Sequence, residues 1–115
     1  KKDIIIRGGE NVSSREVEEL LLNVPGIAEA AAIGAPDKRL GEKICAVVKV
    51  DGTCEVSISA IDGVFRQLGV ARQKTPEIVV IVDEFPRTPS GKVQKAELRR
   101  MLAADESFHS RADHA

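Results

Sequence analysis

Two apolar runs, residues 27–34 and 43–50, flank the hexapeptide Pro36-Asp37-Lys38-Arg39-Leu40-Gly41 and set the frame for any fold this chain can adopt. Short apolar runs bounded by proline, aspartate and glycine read as strands, and a polar loop between two of them makes a hairpin or meander. A third run, residues 77–82, is apolar and β-branched and reads as a core strand. Residues 3–7 form one more apolar run, a short strand leading into a Gly8-Gly9 turn.

Helical patterns fill the intervals. Ser13 and Glu16 make a capping box, Ser-x-x-Glu, with Val12 and Val17 placed as a hydrophobic staple. Val17, Leu20, Leu21 and Val24 follow at helical spacing until Pro25-Gly26 stops the run. Ile58, Ile61, Phe65 and Leu68 define a second helical face ended by Gly69, although Gly63 inside it costs about 1 kcal/mol relative to alanine. Val93, Leu98, Met101 and Leu102 mark a last helix. The expected fold is therefore α+β over residues 1–104: a small sheet of about three strands with helices packed on it, plus a short N-terminal hairpin-like segment. Residues 105–115 have no periodic apolar face and are expected to form a disordered tail.

Composition narrows the function classes. At 115 residues the chain fits one domain. Its 17 basic and 18 acidic residues are interspersed, so no basic field points to nucleic acid. The three aromatics are all phenylalanine, which leaves no stacking platform for bases. No apolar run approaches the ~20 residues of a transmembrane segment, and no signal peptide is visible. Cys45 and Cys54 lack metal-type spacing and fit a reduced, cytoplasmic setting, and no metal site is expected. Asn11-Val12-Ser13 matches the glycosylation pattern, which without a secretion signal is incidental. The first residue is not methionine, so a fragment of a longer chain is expected.

The segment with the most chemical content is Pro86-Arg87-Thr88-Pro89-Ser90-Gly91-Lys92-Val93-Gln94-Lys95. Two prolines fix φ and remove two backbone donors, so the segment cannot join a helix or a sheet interior. Gly91 gives the backbone freedom just before Lys92. A lysine there is a mobile ammonium on a firm mount, suited to phosphate or carboxylate oxygens. A P-loop is excluded, because Gly-x4-Gly-Lys needs glycine where Pro86 stands and Val93 replaces the Ser/Thr. A solvated lysine in a surface loop is the plain alternative for any isolated Gly-Lys pair.

Lys1 to Glu18, with Gly8-Gly9-Glu10-Asn11-Val12 at its centre, resembles the hinge and following motif of adenylate-forming enzymes. Pro86 to Lys95 resembles the last motif of the same family, and Pro36-Asp37 and Gly41-Glu42 lie between them at the family's spacing. The resemblance covers residues 1–104. It implies the small C-terminal lid domain of an acyl-CoA synthetase or acid–CoA ligase, sitting on a large N-terminal domain. That enzyme uses ATP, Mg2+ and CoA: a carboxylic acid attacks the α-phosphate of ATP, the lid rotates, and a thiol then displaces AMP.

By resemblance Lys92 is the catalytic lysine of acyl-adenylate formation and Lys2 the hinge residue. Gly8 and Gly9 pass the pantetheine arm of CoA, Arg72 and Lys74 meet the CoA phosphates, and Glu10 and Gly91 support their loops. An ordinary β-turn is the alternative for Gly8-Gly9, and a solvated charge cluster for Arg72 and Lys74. Leu40 stands where some relatives carry an aromatic, Ser14 where many carry proline, and Glu77 where a base is frequent. The arginine expected to contact the ATP ribose falls outside this sequence, as does the acid pocket, so the isolated chain is expected to be inactive and to hold no cofactor. Lys92 also resembles the lysine that protein acetyltransferases modify in some acyl-CoA synthetases. Two other readings are an adenylating domain that loads a carrier protein and a freestanding interaction module with the lid fold.

Overall fold

The computed structural model describes residues 3–104 and 112–114. The chain forms an α+β domain with elements in the order β1 (Ile4–Arg7), β2 (Glu10–Ser13), α1 (Ser14–Leu21), β3 (Ile27–Asp37), β4 (Gly41–Val50), α2 (Ile58–Gln67), β5 (Ile78–Ile81), α3 (Lys95–Ala104) and β6 (Ala112–His114). A 3₁₀ turn at Arg72–Lys74 precedes β5.

All six strands join one sheet, where about three were expected. The difference has two sources. The N-terminal hairpin is not an appendage: β1 pairs with β2 and also meets β4 at Arg7↔Gly41. And Ala112–His114, inside the stretch expected to be a disordered tail, pairs antiparallel with Ile78–Val80 of β5. Residues 105–111 and 115 of that expected tail lie outside the described residues.

The β3–β4 hairpin is also longer than the apolar runs that announced it. The ladder continues through Pro36↔Glu42 to Asp37↔Gly41, leaving three residues to turn the chain. Asp37 makes that turn: its Oδ2 accepts from the backbone N–H of Leu40 at 2.8 Å and of Arg39 at 3.1 Å, an Asx-type closure. These bonds hold the Asp37 carboxyl below the usual carboxylate range.

Strand β4 is the centre. It pairs with β3 on one edge and runs parallel to β5 through Cys45↔Ile78 to Val48↔Ile81. Residues 44–48 are wholly buried, and their alternation feeds two cores. Ile44, Ala46 and Val48 face a cluster with Ile5, Val12, Val17, Leu21, Ile61 and Phe65, from the hairpin, α1 and α2. Cys45 and Val47 face the other, with Val80, Val82, Phe85, Leu98 and Leu102, from β5, the following loop and α3. Burial pushes the Cys45 thiol up to about 12, so it stays a neutral packing group.

Most local signals hold where they were read, although Val24 lies beyond the end of α1 and Val93 before the start of α3, in a bridge with Arg87. Ser13 caps α1, its Oγ accepting from the Glu16 N–H at 3.2 Å, and Val12 and Val17 are both buried as the staple requires. Ser57 caps α2 in the same way through Ala60. Gly63 sits inside α2 on its exposed side, where no neighbour demands a side chain. Leu68 differs from its expected core position: it is the C-cap of α2, 48% exposed, because the helix ends one residue earlier.

Phe65 and Leu68 therefore separate in energy. Phe65→Ala is expected to lower the unfolding free energy by about 3–5 kcal/mol, while Leu68→Ala stays within about 0.5 kcal/mol. Urea unfolding of the two variants checks this; similar losses would place Leu68 in the core.

Candidate functional site

The Lys92 segment is a miniature hairpin. Arg87 and Val93 form a β-bridge, Gln94 N–H donates to Pro86 O at 2.8 Å, and Thr88 N–H donates to Lys92 O at 2.8 Å. Gly91 N–H returns to Thr88 O at 2.8 Å, closing a turn with Pro89 at its second position. Ser90 does not have positive φ, which fits a type I turn, and Gly91 follows at φ +93° as the left-handed residue of a bulge. Gly91 is thus fixed in a conformation that side chains disfavour; it supports the loop by shape, where the sequence suggested freedom. A side chain there would meet no neighbour within 4 Å, so the constraint is backbone strain alone.

Polar contacts hold the hairpin to the domain. Arg87 donates from one guanidinium nitrogen to Gly91 O at 3.0 Å and from another to both Glu29 oxygens on β3, at 2.6 and 2.8 Å. Its guanidinium also lies 5.8 Å from the centre of the Phe85 ring. On the outgoing arm, Lys95 pairs with Asp3 and Glu18. Lys92 is anchored by its backbone only: its N–H donates to Thr88 Oγ1 at 3.1 Å, and no described residue engages its ammonium. The side chain is exposed, beside a groove of about 820 Å³ also lined by Asp3, Arg15, Lys95 and Arg99. The arrangement is a free cation on a braced mount.

Gly8 and Gly9 form the two-residue turn between β1 and β2, closed by Arg7↔Glu10. Their φ values, +57° and +84°, are those of a type I′ turn, so the hairpin itself favours glycine at both positions. Gly8 N–H donates to Leu40 O at 2.8 Å, and a Cβ on Gly8 would lie 3.4 Å from Leu40 Cδ2. A Cβ on Gly9 would meet nothing within 4 Å. The open side at Gly9 fits a slender chain lying along the turn. Glu10 and Asn11 are exposed on β2.

Arg72 is exposed on its 3₁₀ turn, whereas Lys74 pairs with Glu16 at 3.6 Å. The segment reaches the glycine turn through Glu77, whose carboxylate accepts two hydrogen bonds from Arg7, each 2.9 Å. Sequence reasoning assigned Glu77 no partner and did not single out Arg7, Arg87, Glu29, Asp3, Glu18 or Lys95 for such a part. Lys2, the expected hinge, lies outside the described residues. Among the described residues no cluster of three or more His, Cys, Asp or Glu is placed to hold a metal ion, and no helix is long and apolar enough to cross a membrane. The open side at Gly9 has room for a slender chain and the exposed Lys92 ammonium has the charge to meet an anion, while among the described residues no carboxylate cluster offers a seat to Mg2+.

Residues 16–92 match the family model for the AMP-binding enzyme C-terminal domain. The chain is 46% identical over 101 residues to the medium-chain fatty-acid–CoA ligase of Escherichia coli (strain K12), covering 87% of this chain and 18% of that protein. It is 41% identical over 101 residues to the salicyl-AMP ligase / salicyl-S-ArCP synthetase of Mycobacterium tuberculosis, covering 88% and 18%. Among solved structures, the Mycobacterium tuberculosis fatty acyl CoA synthetase superposes with a TM-score of 0.79 at 37% identity, over 89% of this chain and 20% of that one. The chain spans about one fifth of the length of these proteins.

The Arg7–Glu77 pair has a pH signature. The Arg7 hydrogen bonds hold the Glu77 carboxyl below its ordinary 4.5, against the opposing effect of burial. A carboxylate depressed on folding adds stability above its unfolded pKa and loses it as pH falls through the folded value. Arg7→Met is expected to lower stability at pH 7 by roughly 1 kcal/mol, and its deficit relative to wild type shrinks as the pH is lowered from about 5 to 3. Urea unfolding across that range checks it; a deficit independent of pH would assign the loss to packing.

Proposed function

Since the chain belongs to the AMP-binding enzyme C-terminal domain family, we propose that it is the mobile lid of an ATP-dependent acid–CoA ligase acting on fatty, aromatic or alicyclic acids. The observation that carries this reading is Lys92, an exposed ammonium that no described residue engages, on a hairpin braced by backbone bonds and by Arg87. Such a cation has no ion pair with a described residue to break before it meets negative charge, and its braced backbone fixes where the stem starts, which suits electrostatic stabilisation of a transition state.

In this reading a carboxylate oxygen attacks the α-phosphorus of ATP and pyrophosphate leaves. Lys92 stabilises the charge that builds on the α-phosphoryl oxygens. Any Mg2+ bound with the nucleotide would neutralise phosphate charge, and no cluster of described residues in this chain is placed to hold it. The lid then turns about Lys2, and the open face of Gly8-Gly9 guides the pantetheine arm so that its thiol displaces AMP. Arg72 is available to the CoA phosphates, while Lys74 reaches them only by releasing Glu16. The whole enzyme works in the cytoplasm, with the N-terminal domain as the lid's constant partner. The exposure of Lys92 also leaves its ammonium accessible to a protein acetyltransferase, and acetylation would remove the charge on which adenylation depends.

A carrier-protein thiol is the second reading. It is supported by the likeness to a relative named as a salicyl-S-ArCP synthetase, and the same glycine turn would serve, because a carrier presents its thiol on the same kind of arm.

The two half-reactions separate the two loops. In the full-length enzyme Lys92→Ala is expected to slow acyl-adenylate formation about 10²–10³-fold, with thioester formation from supplied acyl-adenylate near wild type. Gly9→Leu is expected to show the reverse, with a melting curve confirming that the turn is formed. Rapid-quench measurement of each step checks both, and equal loss of both steps in both variants would contradict the assignment.

A further inference from the structure

Lys95 breaks a local rule. It is the first residue of α3, where the helix dipole favours anions and disfavours an ammonium. It is also mostly covered, with 18% of its side chain exposed. Both features need compensation, and the structure supplies it from two distant parts of the chain. The Asp3 carboxylate just before β1 and the Glu18 carboxylate in the middle of α1 both engage the Lys95 ammonium. The Asp3 backbone and the Glu18 carboxylate are each held in turn. The Asp3 carbonyl accepts from Ser14 N–H at 3.0 Å, a bond that proline at position 14 would forfeit. Glu18 Oε2 also accepts from Ala32 N–H of β3 at 2.9 Å.

One ammonium therefore joins α3, α1, the start of β1 and, through Glu18, the edge of β3. It does so three residues after Lys92, and both lysines line the same groove with Asp3. The incoming arm of the Lys92 hairpin is held by Arg87, through Glu29 and Gly91 O. The outgoing arm has Lys95 as its polar tie. Without it, Asp3 and Glu18 would face each other with no cation between them, and the arm would keep only its backbone bonds to the incoming arm and the packing of Val93 and Leu98.

We propose that Lys95 is a positioning residue for Lys92: clamped by Asp3 and Glu18, it fixes the catalytic hairpin against the segment where the chain enters the domain. The inference rests on the role given to Lys92 above. A misplacement of about 1 Å at such a group costs on the order of 10²-fold in rate. The loss falls mainly on the step that uses Lys92, because the hairpin that carries the glycine turn has its own apolar seat, Ile5 and Val12 on the other face of β4.

The test uses the full-length enzyme with Lys95→Gln, Lys95→Arg, Asp3→Asn and, as control, Lys92→Ala. Each is measured for single-turnover acyl-adenylate formation, for thioester formation from supplied acyl-adenylate, and for melting temperature. Lys95→Gln, which keeps the stem but not the charge, is expected to slow adenylate formation about 10–100-fold with the thioester step within about twofold of wild type. Lys95→Arg, able to span both carboxylates, is expected to recover most of the rate. Asp3→Asn, which leaves the Glu18 pair intact and avoids two unpaired carboxylates, is expected to lie between wild type and Lys95→Gln. A wild-type adenylation rate in Lys95→Gln beside an inactive Lys92→Ala overturns the proposal alone. So does a loss shared equally by both half-reactions in Lys95→Gln and Asp3→Asn that follows melting temperature, since that marks a purely structural tie. Full adenylation by Lys92→Ala overturns the underlying reading, and the proposal with it.

Discussion

Strand β4 is paired on both edges and buried on both faces from Ile44 to Val48, and that double burial governs the rest of the domain. A strand of this kind must be covered twice, so the chain has to build two apolar layers from a small number of elements. The hairpin, α1 and α2 make one layer, and α3 with the segment around Phe85 makes the other. The glycine turn grows from the first layer and the Lys92 hairpin from the second. A domain organised on such a strand carries two loops with separate apolar seats, joined across the layers by the Lys95 contacts to Asp3 and Glu18.

Apolar packing fixes the layers, but it does not fix the loops that protrude from them. Those are placed by charge pairs of long reach. Arg7–Glu77 joins the glycine hairpin to the segment before β5, Arg87–Glu29 ties one arm of the lysine hairpin to β3, and Lys95 ties the other arm to Asp3 and Glu18. Arg87 and its partner sit at the surface, where an isolated pair adds little stability. Their value lies in orientation, because a fork-shaped guanidinium on Glu29 that also reaches Gly91 O leaves few positions open to the next residue.

What the sequence revealed follows the reach of each interaction. The Ser13 cap, the Val12–Val17 staple and the apolar runs of β3, β4 and β5 were legible because each depends on neighbours a few residues away. The glycine and proline–lysine motifs were legible because their shape requirements are written into residue types. The place of β1 beside β4 was not, since it depends on a single crossing at Gly41, and the β6 pairing involves a segment without apolar period. The supports of the candidate site were hidden for the same reason. Glu29 lies 58 positions from Arg87, and Asp3 lies 92 from Lys95. Lys95 stood in plain view within the motif, and its unfavourable charge for a helix start was the one local sign that a distant partner existed.

The proposed lid requires that the two loops belong to one rigid body, so that they can act in turn only by movement of that body as a whole. The direct measurement is the distance between spin labels at Ser90 and Asn11 in the full-length enzyme, by pulsed electron resonance, with Cys54 replaced by serine and the buried Cys45 left in place. The account predicts one narrow distance distribution, unchanged with ATP, with an acyl-adenylate analogue and with CoA. A distribution that shifts or splits between these states would show the loops moving independently and would contradict it.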